Sequence, residues 1–144
     1  MCENLIVFPE TLKEATVEMN LDLLPQCNGE QAGIILYIDS DNYVRFIREM
    51  VADKHVVVLA KEIEGEPSAE LITPFESLAT KLHLTIGTDS IVVTWGSDSD
   101  DVQTKEFDTW FAPDAEFRVG LLVHGNNPHN QATFRSLSVN GVDV

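Results

Sequence analysis

Apolar and polar side chains alternate along most of this chain with a period of two. Val17, Met19, Leu21 and Leu23 interleave with Thr16, Glu18, Asn20 and Asp22, the pattern of a strand with one face on a core and one in water. The same period recurs at Leu82, Leu84 and Ile86, at Ile91, Val93 and Trp95, and at Phe117, Val119, Leu121 and Val123. Residues 31–38 are apolar almost without a break, which predicts a central strand covered on both faces. Residues 43–49 and 55–63 are rich in aromatic and β-branched side chains and read as two more strands. Shorter strands are predicted at 105–107 and 133–139. Pro25 with Asn28-Gly29, Asp39-Ser40-Asp41-Asn42, Ala52-Asp53-Lys54 and Gly87-Thr88-Asp89-Ser90 supply turn chemistry between them. Residues 64–68 read as a loop, and Glu62, Glu64, Glu66 and Glu70 as its solvated surroundings. The one helical candidate is a short turn opened by Pro74 and running through Ser77-Leu78-Ala79-Thr80. About nine short strands with turns between them predict an all-β sandwich or barrel. No repeat or linker divides the chain, so 1–144 is read as one domain.

Composition narrows the partners more than the fold. The chain has 144 residues, of which 24 are acidic and 9 basic, for a net charge of −15. Phosphate neutralisation needs a basic patch, so nucleic acid and anionic membrane surfaces are not expected as partners. No apolar run approaches the roughly 20 residues of a membrane-spanning helix. The first ten residues lack a basic stretch and a small-residue cleavage site, so no secretory signal is read there, and the compartment is left open. Cys2 and Cys27 are the only cysteines, and both are expected as free thiols.

Three stretches carry a resemblance. They are Gln31-Ala32-Gly33-Ile34-Ile35-Leu36-Tyr37-Ile38-Asp39 with Asp41 to Phe46, Leu82 to Trp95 with Ser97-Asp98, and Phe117 to Val123 with Asn126 and Ala132-Thr133-Phe134. In this order and spacing the chain, over roughly residues 16 to 140, resembles the concanavalin A-like lectin/glucanase superfamily. More narrowly, it resembles the jelly-roll domain appended to family 43 β-xylosidases and related fungal enolase-regulator-type proteins. The resemblance implies an all-β, two-sheet antiparallel jelly-roll sandwich with a concave face that often holds sugar, and it admits a structural calcium. It does not imply catalysis. The family 43 enzymes work through a separate propeller domain. The Glu-x-Asp-x-x-Glu strand of catalytic jelly-roll glucanases is met here only by Glu106-x-Asp108-x-x-Phe111.

The residues themselves point the same way. Glycoside hydrolysis needs two carboxyl groups across the scissile bond, one of them held protonated. Glu106 and Asp108 would share a strand face, but as a solvated pair flanking Phe107. Gly-x-Ser-x-Gly, Gly-rich phosphate and HExxH motifs are absent. Asp98, Asp100 and Asp101 have calcium-type oxygens, yet Gln103 stands where an EF-hand loop needs glycine. Turn chemistry accounts for this cluster and for Asp39 and Asp41, so no metal site or cofactor is assigned. Sugar binding needs an aromatic platform beside planar polar groups. The set that fits is Tyr37, Tyr43 and Arg45 from the central strands, with His124, Asn126, Asn127 and His129 from a strand end and its loop. Tyr43 and Arg45 share a face by alternation; Tyr37 points away from Leu36 and Ile38. Trp95 is expected in the core, Trp110 exposed, and His55 and His83 structural. The expected function is a non-catalytic carbohydrate-binding module, the alternatives being an acidic protein-interaction module and a glycoside hydrolase.

Overall fold

The computed structural model describes residues 2–97, 102–125 and 130–144. Twelve strands follow one another: β1 (Cys2–Val7), β2 (Ala15–Asp22), β3 (Gln31–Asp39), β4 (Asn42–Val51), β5 (Lys54–Ile63), β6 (Glu66–Pro74), β7 (Ala79–Ile86), β8 (Ser90–Gly96), β9 (Val102–Asp108), β10 (Arg118–Gly125), β11 (Thr133–Val139) and β12 (Val142–Asp143). They form two six-stranded antiparallel sheets, a front sheet in the order β1-β10-β3-β4-β5-β6 and a back sheet in the order β12-β11-β2-β7-β8-β9. This is the jelly-roll sandwich expected, and no helix occurs among the described residues.

The alternation places the core. Val17, Met19 and Leu21 of β2, Leu82 and Leu84 of β7, and Ile91, Val93 and Trp95 of β8 meet Ala32, Ile34, Leu36, Val44, Phe46, Val57, Leu59 and Val119 of the front sheet in one apolar cluster. Their polar neighbours on β2 and β7 form the outer face of the back sheet. There Thr16 meets Thr85 and Asn20 donates to Ser136.

Three hairpins turn on two residues with positive φ, Ala52-Asp53, Glu64-Gly65 and Asn140-Gly141. That geometry matches the right-handed twist of paired strands. At +79°, Gly65 sits there without a Cβ penalty, whereas Ala52 at +50° does not.

Four elements differ from the sequence expectation, the shortest being the two-residue β12. β6 replaces the loop read at 64–68, and its Pro67 and Pro74 fit an edge strand, where one side of the ladder needs no donor. β1 is an edge strand whose short apolar run gave no signal. The helical turn expected at 74–80 does not form, because tertiary partners claim its backbone. The Phe75 amide donates to the His55 carbonyl. The Phe75 and Ser77 carbonyls accept from Arg48. Arg48 is fully buried on the inner face of β4. Its Nη2 lies 2.9 Å from the Phe75 carbonyl, and its Nη1 donates to the Ser77 carbonyl and, at 2.9 Å, to Thr80 Oγ1. Burial draws its pKa down to about 10. One cation therefore ties the front sheet to the strand entering the back sheet.

Candidate functional site

The strand registers line up four rows across the outer face of the front sheet. The first contains Glu62, Tyr43, Tyr37 and Arg118, and the second Ala60, Arg45, Ile35 and Gly120. The third contains Val58, Ile47, Gly33 and Leu122, and the fourth Val56, Glu49, Gln31 and His124. Neighbouring strands lie about 4.8 Å apart, and successive rows are two residues apart, about 7 Å. The third row and its neighbours are packed into a second apolar cluster made from this sheet alone, in which Ile47 is 0% exposed. This is why residues 31–36 are buried on both faces, as their unbroken apolar run predicted.

Tyr37, Tyr43 and Arg45 come together. The Arg45 guanidinium lies 5.7 Å from the Tyr43 ring centroid, and its Nη1 donates to Gln31 Oε1 at 2.8 Å. The Tyr43 hydroxyl donates to Glu62 at 3.3 Å. Tyr43 and Arg45 form a wall between two open clefts. One, of about 240 Å³, is bounded by Leu5, Ile35, Tyr37, Ser40 and Leu122. The other, of about 280 Å³, is bounded by Glu49, Val58, Ala69 and Ile72. Beside the first cleft, a Cβ on Gly120 would stand 2.3 Å from the Ile6 carbonyl oxygen, so the close approach of β1 requires glycine.

His124 shares the face but not the clefts. Six residues separate it along β10 from Arg118, the partner of Tyr37, or about 20 Å. It is tied to Arg45 instead through the fourth row. Burial raises the pKa of Glu49, and the charges of Arg45 and His124 pull it partly back. Beside His124 a small cavity of about 90 Å³ is lined by Glu30, Gln31 and Asn130. Burial would raise the Glu30 carboxyl, but donors outweigh it. Asn130 Nδ2 at 2.8 Å and the Gln26 and Cys27 amides leave its pKa below the ordinary value. Asn126, Asn127 and His129 lie outside the described residues, as do Asp98, Asp100 and Asp101.

Other candidates fall into structural roles. Asp39 accepts from Asn42 Nδ2 and the Asp41 amide, bonds that lower its pKa and form a turn. No group of three His, Cys, Asp or Glu side chains that could hold a metal occurs among the described residues. Glu106 and Asp108 are exposed on edge strand β9. Trp95 is 4% exposed, as expected of a core residue. Trp110, expected exposed, instead packs on Phe107 with ring centroids 5.5 Å apart and under Lys61 Nζ at 4.6 Å. His55 Nε2 donates to the Pro25 carbonyl oxygen at 2.8 Å.

Gln31, Glu49, Glu62 and Arg118 belong to the face and were not singled out from the sequence. Glu49 has the parity of Tyr43 and Arg45 and was legible there. The others needed the strand register.

Residues 3–137 match the family model described as the β-xylosidase C-terminal concanavalin A-like domain. The chain belongs to this family. No curated protein matches it. Among solved structures, the GH43 protein BlXynB from Bacillus licheniformis superposes with a TM-score of 0.79 at 18% identity, covering 95% of this chain and 29% of that one. A xylan β-1,4-xylosidase from Bacillus halodurans C-125 gives 0.76 at 15% identity, covering 96% and 30%. The carbohydrate-binding module CBM66 from Bacillus subtilis gives 0.68 at 18% identity, covering 96% and 82%. This chain thus spans less than a third of the length of the first two proteins, and most of the binding module's. No helix in the described residues is long and apolar enough to cross a membrane.

Proposed function

We propose that this domain binds carbohydrate, without cleaving it, on the outer face of the front sheet. The observation that supports this most directly is the Tyr43–Arg45 wall with an open cleft on each side and Tyr37 in the adjoining row. A pyranose has an apolar face that stacks on a tyrosine ring and a rim of hydroxyls that needs planar donors and acceptors. Glu62 in the row of the rings and Arg45 in the next supply these, with Gln31 bonded to the Arg45 guanidinium. The likeness to a carbohydrate-binding module over most of that module's length accords with this reading.

Titration calorimetry with xylo- and gluco-oligosaccharides tests it. Saturable binding is expected, weakened about tenfold by Tyr37→Ala or Arg45→Ala, the effect of losing about 1.4 kcal/mol. A panel in which no glycan binds overturns the proposal. A single salt-sensitive protein partner recovered instead would favour the protein-interaction reading, which rests on the net charge of −15.

A further inference from the structure

We propose that the glycan taken by this face is acidic, carrying uronic acid residues whose carboxylate is received by the Arg45 guanidinium, with Arg118 two strands away in the adjoining row. This rests on the carbohydrate reading and adds the charge of the ligand.

The argument begins from where the arginines are. The sequence holds four, Arg45, Arg48, Arg118 and Arg135, among 24 acidic residues. Arg48 is sealed in the interior on carbonyl and hydroxyl oxygens. Arg135 Nε pairs with Asp22 at 2.9 Å. Among the described residues neither Arg45 nor Arg118 has a carboxylate within ion-pair distance. Both sit on the candidate face, in adjoining rows and on either side of the tyrosine pair. Arg118 stands opposite Tyr37 on β10, and Arg45 is two positions beyond Tyr43 on β4. In a chain with acidic residues to spare, two guanidinium groups without an ion-paired carboxylate adjoin the tyrosine pair.

Arg45 is also short of a charged acceptor. Gln31 accepts from its Nη1, and a charged acceptor bonds a guanidinium more strongly than this neutral amide oxygen does. The guanidinium fork matches a carboxylate, and Arg45 is in the wall of both clefts. Of the two acids in these rows, Glu62 accepts from the Tyr43 hydroxyl and Glu49 has its pKa raised by burial, and neither forms an ion pair with Arg45 among the described residues. A neutral pyranose would use the tyrosines and offer the guanidinium groups only hydroxyl acceptors. A uronate uses both, because its carboxylate projects from the ring that stacks.

The test compares neutral and acidic probes on the unmodified protein. Xylohexaose, a glucuronic-acid-substituted xylo-oligosaccharide of similar length and an oligogalacturonate would be titrated calorimetrically at low and high salt. At least one acidic probe is expected to bind about tenfold more tightly than xylohexaose at low salt, with the advantage shrinking as salt rises. Arg45→Gln should remove that advantage and Arg118→Gln reduce it, while Tyr37→Ala weakens every probe. Equal affinities, or binding of the neutral probe alone, would overturn the acidic-ligand inference and leave the carbohydrate reading standing. Binding of none would overturn both. Since the comparison is between ligands on one protein, it holds whether or not a variant folds.

Discussion

Replacing Arg48 by methionine offers a direct test of what locks the two sheets together. The substitution keeps an unbranched apolar stem in the space and removes the guanidinium. Burial that draws the Arg48 pKa down to about 10 corresponds to a desolvation cost of about 3 kcal/mol. Against it stand three hydrogen bonds from a charged donor, to the Phe75 and Ser77 carbonyls and to Thr80 Oγ1. Each such bond contributes about 1.5–3 kcal/mol. The bonds therefore outweigh the desolvation by about 1.5–6 kcal/mol, and Arg48→Met should lower the unfolding free energy by roughly that amount. Urea unfolding at pH 7, followed by tryptophan fluorescence and far-UV circular dichroism, measures it as a shift in midpoint at constant slope. Arg48→Lys should not rescue, since one ammonium cannot span three acceptors set around a planar fork. Thr80→Val in a double-mutant cycle with Arg48→Met should show coupling of about 1 kcal/mol. A methionine variant within about 0.5 kcal/mol of the parent, or more stable than it, would refute this reasoning, as apolar replacements of some buried ionic networks have done.

Further outcomes follow from the same structure. Glu49 has its pKa raised by burial, so its ionised form weighs on the fold above that pKa and the penalty vanishes as pH falls below the ordinary glutamate value. Glu49→Gln should therefore melt higher than the parent at pH 7.5, with the gap closing toward pH 4, and a pH-independent loss of stability would contradict this. Glu30 has its pKa lowered once its donors outweigh burial, so its contribution is present above the ordinary value and lost as pH falls through the lowered one. Glu30→Gln should melt lower at pH 7 and converge on the parent in acid, as read by thermal melts across that range. Ala52 adopts a φ of +50° in its hairpin, so Ala52→Gly should add about 0.5–1 kcal/mol in urea unfolding, and a loss would show the turn to be unstrained.

The site was legible in part. Tyr43 and Arg45 share a face by parity, and Glu49 joins them on the same rule. Placing Tyr37 with them took the β3–β4 register, in which Tyr37 pairs with Tyr43. A shift of one residue would have turned it to the other side. His124 has the right parity and the wrong row, a distance that alternation does not encode. Edge strand β6 looks like a loop in sequence because an edge strand has one partner and tolerates proline and acidic side chains, and edge strand β1 is marked only by a short apolar run.

The sequence by itself determined that the chain is all-β, which faces of its main strands are apolar and where most of its turns fall, because these follow from local periodicity and from backbone preferences of single residues. Its motifs were enough for the family. Only the tertiary structure decided which strands are neighbours, and so which side chains stand in one row. It also decided that Arg48 would take the carbonyls of a segment otherwise suited to a helical turn, and that a cleft would open on each side of Arg45. Those outcomes depend on long-range register and packing between residues far apart in the chain, which no local pattern contains.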